Sequence, residues 1–119
     1  MKYLRFYLLL LFLFSGIITN AQDSRVDSLK MLLRSMDGDT TKVNTLNAIA
    51  DAIYRNDPDE AIRYSTDAKT LAEQINFRKG LALAYKNMGL GHYMQGDYTD
   101  AFKSWEPSLK IYEELGDDQ

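Results

Sequence analysis

Between residues 85 and 108 the chain reads Tyr85-Lys-Asn-Met-Gly89, then Tyr93-Met-Gln-Gly96-Asp-Tyr-Thr-Asp-Ala101, then Trp105 and Ser108. Apolar and small residues recur in it at three- and four-residue intervals, the spacing that collects them on one face of a helix. Gly96 suits the left-handed residue that ends a helix, and Asp97 suits the N-cap of the next. The spacing therefore predicts one helix from about Arg78 to Gln95. A second follows Asp97, carrying the stripe Tyr98, Ala101, Phe102, Trp105, Ser108, Leu109 and Tyr112, and Gly116 closes it.

Working outward, the same pattern precedes this stretch. Asp57-Pro58-Asp59-Glu60 supplies an N-cap, a proline at the first helical position and a glutamate placed to reach back as in a capping box. The face behind it is Ala61, Ser65, Ala68, Leu71, Ala72 and Ile75. Asp39 caps an earlier helix with the stripe Val43, Leu46, Ile49, Ala50 and Ile53. A lead helix carries Val26, Leu29, Leu32, Leu33 and Met36 and stops at Asp37-Gly38. From Asp23 onward no stretch reads as a strand, so the fold class is all-α. Ala61 and Ala101 stand 40 residues apart, as do Ile62 and Phe102, Ala68 and Ser108, and Leu71 and Ile111. A fixed period of this size signals stacked helical units.

With these residues in view, the second copy resembles a tetratricopeptide repeat. Tyr85, Met88-Gly89, Gly96-Asp97-Tyr98, Ala101, Trp105 and Ser108 meet that family's pattern, and Leu46, Ile49-Ala50, Ile53, Ala61 and Ala68 follow it more loosely. The small residues Gly89, Ala101 and Ser108 let paired helices approach closely. The period is 40 rather than the family's usual 34, which implies a lengthened second helix. His92 stands where the family usually has a large apolar residue. Pro107 falls inside a helix, where it should kink the helix or cost about 3 kcal/mol. The resemblance covers Thr40 to Leu115. It implies a right-handed α-solenoid of antiparallel helix pairs preceded by one N-terminal helix. The expected organisation is a leader at 1–21, a packing helix and turn at 22–39, and a repeat domain at 40–119. Repeat one spans about 40–77 and repeat two about 78–116.

The leader is read from its layout. Lys2 and Arg5 precede the apolar run Leu8 to Phe14, and Thr19-Asn20-Ala21 places small residues where a signal peptidase cuts, before Gln22. An uncleaved anchor is the alternative, although the run is short for a bilayer core of about 30 Å. The expectation is export to a periplasm or cell surface. Of the 119 residues, 45% are apolar and 26% charged, the balance of a folded protein. Loss of Lys2 and Arg5 takes the net charge from −3 to −5, the wrong sign for a nucleic-acid binder. With no cysteine and one histidine, disulfides, thiol nucleophiles and multi-histidine metal sites are excluded.

Little in the chain suggests catalysis. His92 is expected against a partner helix, as a satisfied interior histidine rather than a base. Gly89-Leu90-Gly91 lacks a third glycine and lies within a helix, so it is no dinucleotide loop. Asp37-Gly38-Asp39-Thr40-Thr41 lacks the spacing and terminal glutamate of a calcium loop and reads as a helix stop and cap. Glu113-Glu114 and Asp117-Asp118 read as a solvated end. The expectation is no enzyme, no cofactor, no metal and no nucleic acid.

What the resemblance implies is binding of a protein or peptide in a concave groove lined by the first helix of each pair. Carried over by position, the groove residues are Asn44, Asn47, Asp51, Tyr54 and Arg55, then Leu83, Lys86, Asn87, Leu90, Tyr93 and Met94. Lys86 with Asn87 suits a carboxylate and a peptide carbonyl, Asn47 adds an amide, and Tyr54, Tyr93 and Met94 give adaptable apolar surface. The other reading is that the polar members are solvated faces of amphipathic helices. Two repeats leave an apolar face uncovered after the last helix. The expectation is a longer protein, or self-association at that end. A leader, a lead helix and such repeats resemble the exported sensor regions of bacterial signalling proteins. In those, a membrane span precedes a histidine kinase, nucleotide cyclase or transcriptional regulator.

Overall fold

The computed structural model describes residues 2–116, with side chains at 3–10 and 24–116. Its elements are α1 (Lys2–Leu33), α2 (Thr40–Ile53), α3 (Pro58–Gln74), α4 (Arg78–Met94) and α5 (Tyr98–Glu114). The described residues form an all-α chain in which each helix packs on the next and α2 also touches α4.

The starts and stops follow from local chemistry. Asp39, Asp57 and Asp97 each accept the backbone N–H three residues on, at 3.2, 3.2 and 3.3 Å, satisfying a donor that the first turn leaves free. Pro58 opens α3, where its missing N–H costs nothing. Gly96 (φ 80°) and Gly116 (φ 68°) take the left-handed conformation that ends a helix. After α3 there is no glycine, and Asn76 (φ 57°) takes that role.

Two local expectations change. Glu60 does not reach back to complete a capping box; its carboxylate accepts from Arg63 at 2.7 and 3.0 Å, a partner one turn along the same face. The lead helix expected within 22–39 is not a separate element, because α1 is continuous from Lys2, and it ends at Leu33, short of Met36. The side chains of Thr19-Asn20-Ala21 and the tail Asp117-Asp118 lie outside the described residues. No helix among the described residues is long and apolar enough to cross a membrane.

The core forms where α2, α3 and α4 meet. Val43, Leu46, Ile49, Ala50, Tyr64, Ala68, Ala72 and Ala84 are buried there, and Leu29 and Leu33 of α1 lie against them. Burying each large aliphatic contributes about 1.5–3 kcal/mol. The alanines and glycines set the spacing. A Cβ on Gly80 would sit 2.7 Å from Val43 Cγ1, and one on Gly91 would sit 2.6 Å from Ile62 Cγ1. Gly89 leaves room for the Trp105 indole, whose Nε1 donates to the Lys86 carbonyl at 3.1 Å. Farther along, Ser108 Oγ donates to the Ala82 carbonyl at 2.7 Å, and Arg78 pairs with Glu114.

The α5 stripe is only half covered. Ala101, Ser104, Ser108 and Ile111 are buried, but Tyr98, Phe102 and Leu109 are exposed. The face of α5 turned away from α4 has nothing upon it among the described residues. Pro107 lies within α5, which continues to Glu114.

Candidate functional site

Helical spacing puts Asn44 and Asp51 on one side of α2, with Arg55 in the turn after it, and Leu83, Lys86, Leu90 and Tyr93 on one side of α4. Asn44, Asp51, Arg55, Lys86, Tyr93 and Met94 are exposed, while Tyr54, Leu83 and Leu90 are half-buried. Arg55 lies 4.9 Å from the centre of the Tyr54 ring, within cation–π range.

Asn47 and Asn87 stand elsewhere. They are 0% and 1% exposed and join α2 to α4 in the interior. Asn47 Nδ2 donates to the Gly80 carbonyl at 3.1 Å, and Asn87 Nδ2 donates to the backbone and side-chain oxygens of Asn47 at 3.2 and 3.3 Å. Gly80 makes this possible, since without a Cβ its backbone comes within reach of α2. Neither amide faces solvent, so the expectation that they meet a ligand gives way to an interior hydrogen-bonded bridge. Asn87 Oδ1 has no partner in it. The spacing held a signal for Asn47, which falls four residues after Val43 and three before Ala50, within the apolar stripe of α2.

Tyr93 reaches across to α5. Its ring lies 5.3 Å from Tyr98 and 5.9 Å from Trp105, and Phe102 stands edge-on to Trp105 at 5.8 Å. These four rings form one aromatic patch, with Tyr93, Tyr98 and Phe102 between 51% and 68% exposed. The spacing Tyr98, Phe102, Trp105 and Leu109 displayed this stripe in the sequence, and the described residues leave it uncovered, as expected of the face after the last helix.

Where α4 gives way to α5, His92 of the one, Asp100 of the other and Asp97 between them bring one ligand atom each to within 4.8 Å of the others. His92 is half-buried and its Nδ1 is enclosed without a partner, in place of the neighbour expected to satisfy it. The Asp97 carboxyl is held below its ordinary value, chiefly by its side-chain hydrogen bond with Asp100 and then by the Asp100 backbone N–H. The capping bond thus occupies one oxygen of Asp97.

A separate cleft of about 500 Å³ opens where the end of α1 meets α2 and α3. Leu33, Leu46 and Leu71 line its floor, with Arg34 and Lys42 also on its wall. Comparison with family models, curated proteins and solved structures finds no match in any of the three.

Proposed function

We propose that the chain is an exported, non-catalytic scaffold of tetratricopeptide type that binds a protein or peptide partner along α2 and α4. The observation that carries this is the row of exposed side chains Asn44, Asp51, Arg55, Lys86, Tyr93 and Met94 on two helices that touch. Charged and amide groups beside a tyrosine and a methionine suit a peptide, whose backbone needs hydrogen bonds and whose side chains need apolar contact. The solenoid reading has support of its own. Contacts pass from Arg78–Glu114 through Ala82–Ser108 to Lys86–Trp105, ascending α4 as they descend α5, as antiparallel pairing requires. The equivalent N-caps Asp57 and Asp97, 40 residues apart, support a repeated unit.

Export rests on the layout of residues 1–21, with cleavage after Ala21 and delivery to the periplasm or cell surface. The test is a peptide array probed with the chain and with its Lys86→Ala and Tyr93→Ala variants. Capture of a defined set of peptides, lost in both variants while helicity is kept, is the expected result. Capture that both variants retain would refute the groove.

A second reading makes the chain the extracytoplasmic sensor part of a membrane signalling protein. The exposed aromatic face of α5 favours it, since a further helix pair, or a second copy of the chain, would cover that face.

A further inference from the structure

The cleft between α1, α2 and α3 lies on the opposite side of α2 from the groove. At about 100° per residue, Lys42 and Leu46 point away from Asn44, Asp51 and Arg55. The cleft therefore stands or falls independently of the groove reading. Its floor is apolar: Leu46 is 3% exposed, and Leu33 and Leu71 are half-buried. Arg34 and Lys42 line it, and neither enters an ion pair among the described residues. The cations of α3 are engaged, Arg63 by Glu60 and Asp67, and Lys69 by Glu73. Two uncommitted cations beside a leucine floor complement an anion that carries a short aliphatic group.

We infer that this cleft is a binding site for the C-terminal residue of a peptide, with the free carboxylate at Arg34 and Lys42 and an aliphatic last side chain on Leu33, Leu46 and Leu71. Charge complementarity selects the carboxylate, and a guanidinium fork suits it geometrically. The remaining polar groups favour a peptide over a simple alkyl acid. Asp67 and Gln74 also line the cleft and offer acceptors to the backbone N–H groups of the preceding residues. An alkyl carboxylate has no donor for them. A volume of about 500 Å³ accommodates two or three residues.

The test is a titration of the full ¹⁵N-labelled chain, held in zwitterionic detergent, with N-acetyl-Ala-Ala-Leu as the free acid, the same peptide as its C-terminal amide, and decanoate. The expected result is saturable shifts at Leu33, Arg34, Lys42 and Leu71. The free acid should bind about tenfold tighter than the amide, the worth of a charge-assisted contact. Arg34→Gln and Lys42→Gln should each weaken the acid about tenfold and leave the amide unchanged. Arg34 is exposed and makes no side-chain bond among the described residues, so its variant keeps the fold. Equal binding of acid and amide would overturn the site, as would no saturation by about 10 mM. Decanoate binding as tightly as the peptide acid would overturn the peptide as occupant. Shifts gathered at Asn44, Asp51 and Lys86 instead would overturn the cleft while supporting the groove.

Discussion

Replacing Gly89 with alanine tests the packing of α4 on α5. In an exposed helix interior this change stabilises by about 1 kcal/mol, because alanine loses less backbone freedom than glycine. Here the new Cβ would fall on the pyrrole edge of Trp105, inside any permissible contact with Nε1 and Cδ1 and 2.7 Å from Cε2. Those atoms are mid-side-chain, held by the bond to the Lys86 carbonyl and by the rings of Tyr93 and Phe102. Moving the indole breaks the hydrogen bond, at about 1 kcal/mol, and strains the pair by about 1–3 kcal/mol. With the propensity gain subtracted, the net loss is about 2 kcal/mol, or roughly 10 °C in Tm for a domain of this size. Thermal melts followed by circular dichroism read it directly. Trp105→Leu, which removes the ring, should make the two changes non-additive, so that the double variant loses clearly less than the sum of the single losses. A Gly89→Ala chain that melts at or above the parent temperature would refute the close approach.

Asn47→Ala should cost about 3 kcal/mol and Asn87→Ala about 2, since Asn47 supplies both a donor and an acceptor to the bridge whereas Asn87 Oδ1 is already unpartnered. In a urea-denaturation double-mutant cycle the pair should couple by about 1 kcal/mol, and strict additivity would remove the bridge. Pro107→Ala should stabilise by about 1–2 kcal/mol in the same assay, because a proline inside α5 withholds one backbone donor from the helix. Acid sensitivity should trace partly to Asp97. Its folded pKa lies below the ordinary 3.8, so its stabilising effect is complete above that value and is lost as pH falls through the folded pKa. Asp97→Asn keeps a capping oxygen without the titration, and its Tm should fall less than the parent's between about pH 6 and pH 2.

The parts of this fold that could be read in advance are those whose causes lie within a few residues. Asp39, Asp57 and Asp97 cap the helices the spacing assigns to them, and Gly96 and Gly116 end theirs, because each such choice is settled by one turn of backbone. Asn76 gives a weaker signal, since asparagine enters the left-handed region less readily than glycine. Contacts between helices were legible only as stripes. Asn47 and Asn87 carry polar side chains at positions that resemblance assigns to a groove, although Asn47 shares the spacing of the apolar stripe; the approach of α4 over Gly80 joins them in the interior. Phe102 and Leu109 are apolar and bare among the described residues, which agrees with the uncovered face expected after the last helix. In the candidate site, the exposed charges of α2 and α4 were legible. The cleft at Arg34 and Lys42 was not, because its walls come from three helices and no local motif links them.

Trp105 is the only tryptophan in the chain, and it sits on Gly89 and Lys86 in the α4–α5 pair. Its fluorescence therefore watches one pair alone, while ellipticity adds up every helix. The molecule thus carries a local optical reporter beside a global one. Curves that superimpose would make the packed helices a single cooperative unit. A fluorescence transition that comes first would mark α5 as the helix that detaches before the rest unfolds.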